Sequence, residues 1–240
     1  IDEASLDPAS AASAKLILLA TPIGQFEYLL RRMSPGLRSG TIVTDVGSTK
    51  QQVCRVAERI LPRGVHFVGS HPMAGSEKRG IDFARADLCR NATCIVTPTP
   101  RTNRAALRVV RDLWLSLGMQ IIDLAPAVHD RILSKISHLP HFVAAALVNA
   151  CREEELKLSG MGFLDTTRVA SGDIQLWHDI ALSNRRDIVA AVKALRLRLG
   201  EFERAVEVGD SRRIKKFLSD AKAKRDWLVK FKIRTTGLED

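Results

Sequence analysis

A chain of 240 residues with 45% hydrophobic content can bury a sizeable core, as one large domain or as two smaller ones. No apolar run reaches the length needed to span a bilayer, and no charged-then-apolar leader precedes a small-residue cleavage site, which argues against a membrane protein and for a cytoplasmic one. The formal charge of +10 is concentrated late, with sixteen Lys or Arg against nine Asp or Glu from residue 184 onward; without aromatic interleaving or a recognition motif, this excess reads as a solvated helical face and not as a nucleic-acid site.

The chain opens on Ile1-Asp-Glu-Ala-Ser-Leu-Asp-Pro8, the texture of a loop entered midway through a domain, so a further segment is expected upstream. Residues 15–20 form an apolar run too short for a buried helix and ended by Thr21-Pro22-Ile23-Gly24, which predicts a buried strand of a parallel sheet. Phe26, Leu29, Leu30 and Met33 follow at helical spacing until Pro35-Gly36. Residues 41–45 predict a second strand leading into Val46-Gly47-Ser48-Thr49-Lys50. A helix carrying Val53, Val56, Ala57 and Ile60 comes next, with Ser48 or Thr49 as its expected N-cap and Pro62 as its stop.

A third strand is predicted over 65–69, a fourth over 93–97 and a fifth over 119–123, the last two separated by a helix from about 101 to 117. Strands alternating with helices specify an α/β domain with a largely parallel sheet, in which ligands gather at the carboxyl ends of the strands. His71 lies just beyond the third strand, in a loop shaped by Pro72, Gly69, Gly75 and Gly80. Imidazole can take a proton from a hydroxyl near neutral pH, and Glu77 and Lys78 lie near enough in sequence to tune it. The ordinary alternative is a histidine that merely ends a strand.

After Pro126 the β-rich texture stops and helical patterns run almost to the end. The first, residues 127–152, is interrupted at Ser137-His138-Leu139-Pro140-His141, where proline must kink it. His138 and His141 share a face, but no carboxylate or cysteine at a matching spacing completes a metal set. Residues 159–168 read as a glycine-rich segment ending in Arg168, either an ion-pair partner of Asp165 or a bidentate clamp for a carboxylate, and Trp177-His178-Asp179 lie in a further helix. From 185 to 231, Ile188, Val192, Leu195, Leu199 and Phe202 make a stripe wide enough to bury against another helix or subunit.

Together the ordered landmarks Leu18–Gly24, Thr44–Lys50, Gly69–Lys78, His129-Asp130, Ser137–His141 and Gly162–Arg168, with Trp177 following, resemble the prephenate and arogenate dehydrogenase family of tyrosine biosynthesis over essentially the whole chain. The resemblance implies an incomplete Rossmann-like parallel-sheet domain over residues 1–124, followed by an all-helical substrate and dimerisation domain over 125–240. It also implies NAD- or NADP-dependent oxidation of a cyclohexadienol with loss of carbon dioxide, and the helical stripe predicts a homodimer. In that scheme His71 draws off the ring-hydroxyl proton and Ser48 orients it. Arg168 binds a substrate carboxylate, with Ser76, Glu77, His138, His141 and Trp177 around the same anionic substrate. Thr21, Pro22, Gly47 and Ser48 fall at the cofactor.

The family's opening strand and G-x-G-x-x-G turn have no counterpart in these 240 residues. The expectation is therefore that this stretch alone holds dinucleotide weakly, and that the residue choosing NAD over NADP lies before Ile1. The end at Asp240 carries the further expectation that no regulatory domain follows. His141 inclines the substrate toward prephenate over arogenate, and a non-catalytic oligomerisation module is the alternative from another class.

Overall fold

The computed structural model describes residues 2–74, 82 and 84–236, the last three by their backbone. The chain divides into two compact units, Ile1–Ile188 and Val189–Asp240.

The first unit is built on a five-stranded sheet in the order β1-β2-β3-β4-β5: Leu16–Leu19, Ile42–Asp45, His66–Pro72, Thr93–Thr97 and Gln120–Asp123. β1, β2 and β3 run parallel, with Leu19 opposite Asp45 and Thr44 opposite Val68, so their carboxyl ends share one edge. β4 is antiparallel to β3 and β5 parallel to β4, so three of the four pairings are parallel, in keeping with the largely parallel sheet expected. Among the described residues no α-helix lies between β3 and β4, and an antiparallel pairing, unlike a parallel one, does not require a crossover helix. That pairing also lengthens β3. His71 stands opposite Ile95 and Pro72 opposite Cys94, so His71 belongs to the strand and not to the loop after it.

Strand alternation sends Ile17, Leu19, Val43 and Phe67 to one face, where they pack with Phe26, Leu30 and Met33 of α1 (Phe26–Met33) and Val53, Cys54 and Ala57 of α2 (Gln51–Ile60). Val68, Cys94 and Val96 pack with Ala106, Val110 and Trp114 of α3 (Arg104–Ser116) in a second core. Each fully buried Leu, Val or Phe is worth roughly 1.5–3 kcal/mol over its exposed state.

The N-terminus of α2 departs from the expected capping. Neither Ser48 nor Thr49 caps it; Asp130 instead accepts from the backbone N–H of Lys50 at 2.8 Å and of Gln51 at 2.9 Å. Asp130 belongs to α4 (Pro126–Leu133), so a carboxylate distant in sequence meets the orphan donors and positive dipole end of α2.

The helix after β5 does not break at Pro140. It passes through a π-helical turn, Ser134–His138, in which Leu139 N–H bonds Ser134 C=O, and resumes as α5 (Leu139–Asn149) with proline in its first turn. A proline without N–H is tolerated there because the widened turn absorbs the missing bond. A short α6 (Glu153–Leu156) leads to α7 (Met161–Thr167), so the glycine-rich segment is largely helical, with Gly160 as its N-cap and Arg168 as its C-cap. α8 (Ile174–Ser183) is capped by the Asp173 carboxylate, which accepts from Leu176 N–H at 2.7 Å. Among the described residues, no helix is long and apolar enough to cross a membrane.

α9 (Arg185–Glu207) carries the chain into the second unit, which ends in α10 (Ser211–Thr236). The stripe expected over one long segment is divided: Gly209, at φ +66°, terminates α9, and Asp210 caps α10 by accepting from Arg213 N–H. The rings of Phe202 and Phe217 pack 5.0 Å apart across this hairpin.

Lys50 and Asp45 form an ion pair with both side chains wholly buried, and Lys50 Nζ also donates to the Ser70 carbonyl at 2.8 Å. Replacing Lys50 by Met leaves a buried carboxylate without its cation, which costs about 3–5 kcal/mol. The urea midpoint is expected to fall accordingly and to recover in large part when Asp45→Asn is added.

Candidate active site

The carboxyl edge of β1–β3 meets the helices after β5 around a cavity of about 340 Å³. Ser48, His71, His138, His141, Arg168 and Trp177 all line it. Thr21 and Pro22 follow the end of β1, and Gly47 follows the end of β2, on the same sheet edge but outside the cavity lining. Ser76 and Glu77 lie outside the described residues.

Asp45 lies behind the lining and is wholly buried. Its carboxylate accepts from Gly47 N–H at 2.9 Å and from Ser70 N–H at 3.1 Å besides holding Lys50. The turn bearing Ser48 and the strand bearing His71 are thereby tied to one group. Burial pushes the Asp45 carboxyl up, while Lys50 and the two backbone N–H groups pull it back.

His71 is 8% exposed, and its Nδ1 lies 2.9 Å from Nε2 of His129, whose own Nδ1 lies 2.8 Å from Asp130 Oδ1. Burial holds the His71 imidazole well below its ordinary value, and His129, Lys50 and His138 add to the effect. A neutral ring is the form that can accept a proton.

The π turn aims two more histidines at the cavity. His138 is fully buried and its Nδ1 takes the amide of Asn184 at 3.2 Å, the same amide that donates to the Asp130 carbonyl at 2.9 Å. An amide nitrogen only donates, so His138 carries its proton on Nε2, an atom without a hydrogen-bond partner of good geometry among the described residues. His141 donates from Nδ1 to the Val169 carbonyl at 3.0 Å and stacks on Trp177, with ring centroids 3.5 Å apart. Gly172 leaves room for that indole: a β-carbon there would fall 2.5 Å from Trp177 Nε1. Burial lowers His141, the Val169 carbonyl opposes it, and the nearby Arg168 guanidinium lowers it further. Arg168 itself is exposed at the mouth.

Neutral histidines, a guanidinium and an aromatic wall suit an anionic ring substrate that must lose a proton. Lys50, Asp45 and Asn184 had been given no role from the sequence, and His129-Asp130 entered only as a landmark. Their signal is a polar residue that folding buries, and burial is not written in the local pattern.

Burial pushes His138 down to about 4 from the usual 6.5. The unfolded chain therefore binds this proton first, and stability present above pH 6.5 is lost as pH falls toward 4, by up to about 3 kcal/mol. His71, His129 and His141 are displaced in the same direction. Urea midpoints at pH 7 and pH 4.5 are expected to differ less in His138→Gln than in the parent.

Known proteins match both halves of the chain. Residues 1–123 match the family model described as the prephenate dehydrogenase nucleotide-binding domain, and residues 125–220 the model of its dimerization domain. Prephenate dehydrogenase of Bacillus subtilis is 34% identical over 222 residues, covering 90% of this chain and 60% of that protein. The chain likewise spans about 60% of the length of two further relatives. The structure of Aquifex aeolicus prephenate dehydrogenase in complex with hydroxyphenyl propionate and NAD+ superposes with a TM-score of 0.89 at 31% identity, over 95% of this chain and 82% of that one. Synechocystis arogenate dehydrogenase superposes with a TM-score of 0.82 at 32% identity, over 95% and 84%. With both models matched in order along the chain, it belongs to the prephenate dehydrogenase family.

Proposed function

We propose that this chain carries the substrate site of a prephenate dehydrogenase, which converts prephenate to 4-hydroxyphenylpyruvate by NAD- or NADP-dependent oxidative decarboxylation in tyrosine biosynthesis. The observation that carries the reading is that His71, from the sheet, and Arg168, from the helices, line one cavity with Ser48, His138, His141 and Trp177. The bound hydroxyphenyl propionate and NAD+ of the Aquifex relative support it.

The residues present fit part of a dinucleotide site. Thr21, Pro22, Gly47 and Ser48 follow the carboxyl ends of adjacent parallel strands, where such ligands bind in α/β sheets. The oxidised dinucleotide, when bound, supplies the hydride acceptor. Arg168 holds a carboxylate of the dianionic substrate, and the stacked His141 and Trp177 wall its ring. His71 takes the proton of the ring hydroxyl, whose oxygen becomes a carbonyl as hydride departs. Ser48, on the turn tied to Asp45, orients that hydroxyl. Loss of carbon dioxide then restores aromaticity, a driving force that leaves the protein chiefly the work of positioning.

Residues 1–124 serve as the dinucleotide-binding domain and 125–240 as the helical substrate and dimerisation domain of a cytoplasmic homodimer. The dimerization-domain match and the exposed Leu197, Leu199 and Leu218 support that arrangement. Arogenate, with an amino group in place of the keto group, is the second reading, favoured by the likeness to the Synechocystis enzyme.

Steady-state kinetics of the intact polypeptide with each substrate and each dinucleotide test the reading. His71→Asn is expected to lower kcat by about 10²–10⁴-fold with little change in KM. Arg168→Gln is expected to raise KM about 10–100-fold, the worth of a charge-assisted pair. Turnover of neither substrate, or full activity in His71→Asn, would overturn it.

A further inference from the structure

We propose that Asp130, acting through His129, fixes the tautomer of His71 so that its Nε2 lone pair faces the substrate, making both residues positioning groups for proton removal. This rests on the reading of His71 as the base and extends it to two residues outside the cavity lining.

The argument is one of directed donation. Asp130 is 1% exposed and already accepts two backbone N–H groups, from Lys50 into Oδ1 and from Gln51 into Oδ2, at the positive end of α2. Each of its two oxygens thus serves as an acceptor. The 2.8 Å contact between Asp130 Oδ1 and His129 Nδ1 therefore has the proton on His129 Nδ1. A neutral His129 then offers only a lone pair at Nε2. The 2.9 Å contact to His71 Nδ1 accordingly has His71 donating, and the neutral His71 ring is left with its lone pair on Nε2. The opposite tautomer of His71 would set two lone pairs against each other at 2.9 Å.

The pair is held rigidly. His129 is wholly buried, and the Asn184 amide pins the Asp130 carbonyl at 2.9 Å. The rings of His71 and His129 meet edge-on, with centroids 5.1 Å apart. When the substrate O–H breaks, its proton goes to His71 Nε2, and the resulting imidazolium keeps its Nδ1–H on His129, whose far side faces the Asp130 carboxylate. The titratable groups around His71 are Lys50, His129 and His138, with Asp130 behind His129.

Three variants of the intact polypeptide test this. In Asp130→Asn an NH₂ at the Oδ1 position gives up the Lys50 N–H, leaves the Gln51 N–H on the side-chain oxygen and donates to His129 Nδ1, reversing both donations and placing a proton on His71 Nε2. Nitrogen-15 NMR of the imidazoles is expected to show pyrrole-type Nδ1 and pyridine-type Nε2 for His71 in the parent, exchanged in Asp130→Asn. The expected loss in kcat is about 10²–10⁴-fold, as for the misdirected tautomer in a Ser-His-Asp triad, with KM within threefold.

His129→Ala, which leaves α2 capped, is expected to lose activity and regain part of it with added imidazole; it serves if Asp130→Asn does not fold. Wild-type kcat in folded His129→Ala, or a pyrrole-type Nε2 of His71 in the parent, would overturn the proposal while His71→Asn remained inactive. Full activity in His71→Asn would instead remove the underlying reading, and the nitrogen shifts would still decide the tautomer.

Discussion

Much of the site hangs on the carboxylate of Asp45 and the ammonium of Lys50, two opposite charges buried together at the end of β2. A buried pair gains little net stability over apolar residues, because desolvation of both ions offsets most of their attraction. Its effect here is geometric. Asp45 gathers the N–H groups of Gly47 and Ser70, and Lys50 takes the Ser70 carbonyl, so a turn and a neighbouring strand are locked in register. Ser48 and His71 ride on those two segments one residue beyond the anchored atoms. Thr44 Oγ1 adds a 2.7 Å bond to the Val68 carbonyl in the same layer.

A second carboxylate does for the helical segment what Asp45 does for the sheet. Asp130 leaves α4 to close the N-terminus of α2, and through the Asn184 amide the same backbone stretch is tied to His138. The sheet and the helices that follow it are therefore joined by hydrogen bonds to charge as well as by apolar contact, and such bonds demand direction. Direction is what a proton-transfer site needs, since an imidazole turned by one ring flip presents a donor where a base is required.

The π turn before Pro140 is the other device. An uninterrupted α-helix advances about 100° per residue, whereas the widened turn resets the faces that follow it, and His138 and His141 both reach the cavity although they flank the proline. Trp177 then covers His141 as a stacked plate, with Gly172 supplying the space. In the second unit, by contrast, the ion pairs are exposed ones at helical spacing, such as Lys216 with Asp220 and Lys222 with Asp226, each of little energetic weight.

The five strands and most of the helices were legible from apolar runs and periodicity, because burial of a strand or of a helix face writes a repeat into the local sequence. The α/β class followed from their alternation, and the landmark segments pointed to the family. The antiparallel turn of β4, the helix over residues 161–167 and the division of the last helical stretch at Gly209 were not legible. Strand direction and helix ends depend on what packs or bonds nearby. The histidines and Arg168 could be singled out by type, since few side chains carry a proton near neutrality or clamp a carboxylate. Tertiary structure alone decided that Asp130 and not Ser48 or Thr49 meets α2, that Lys50 is buried, and which way each imidazole donates, because hydrogen bonds between residues distant in sequence leave no periodic trace in it.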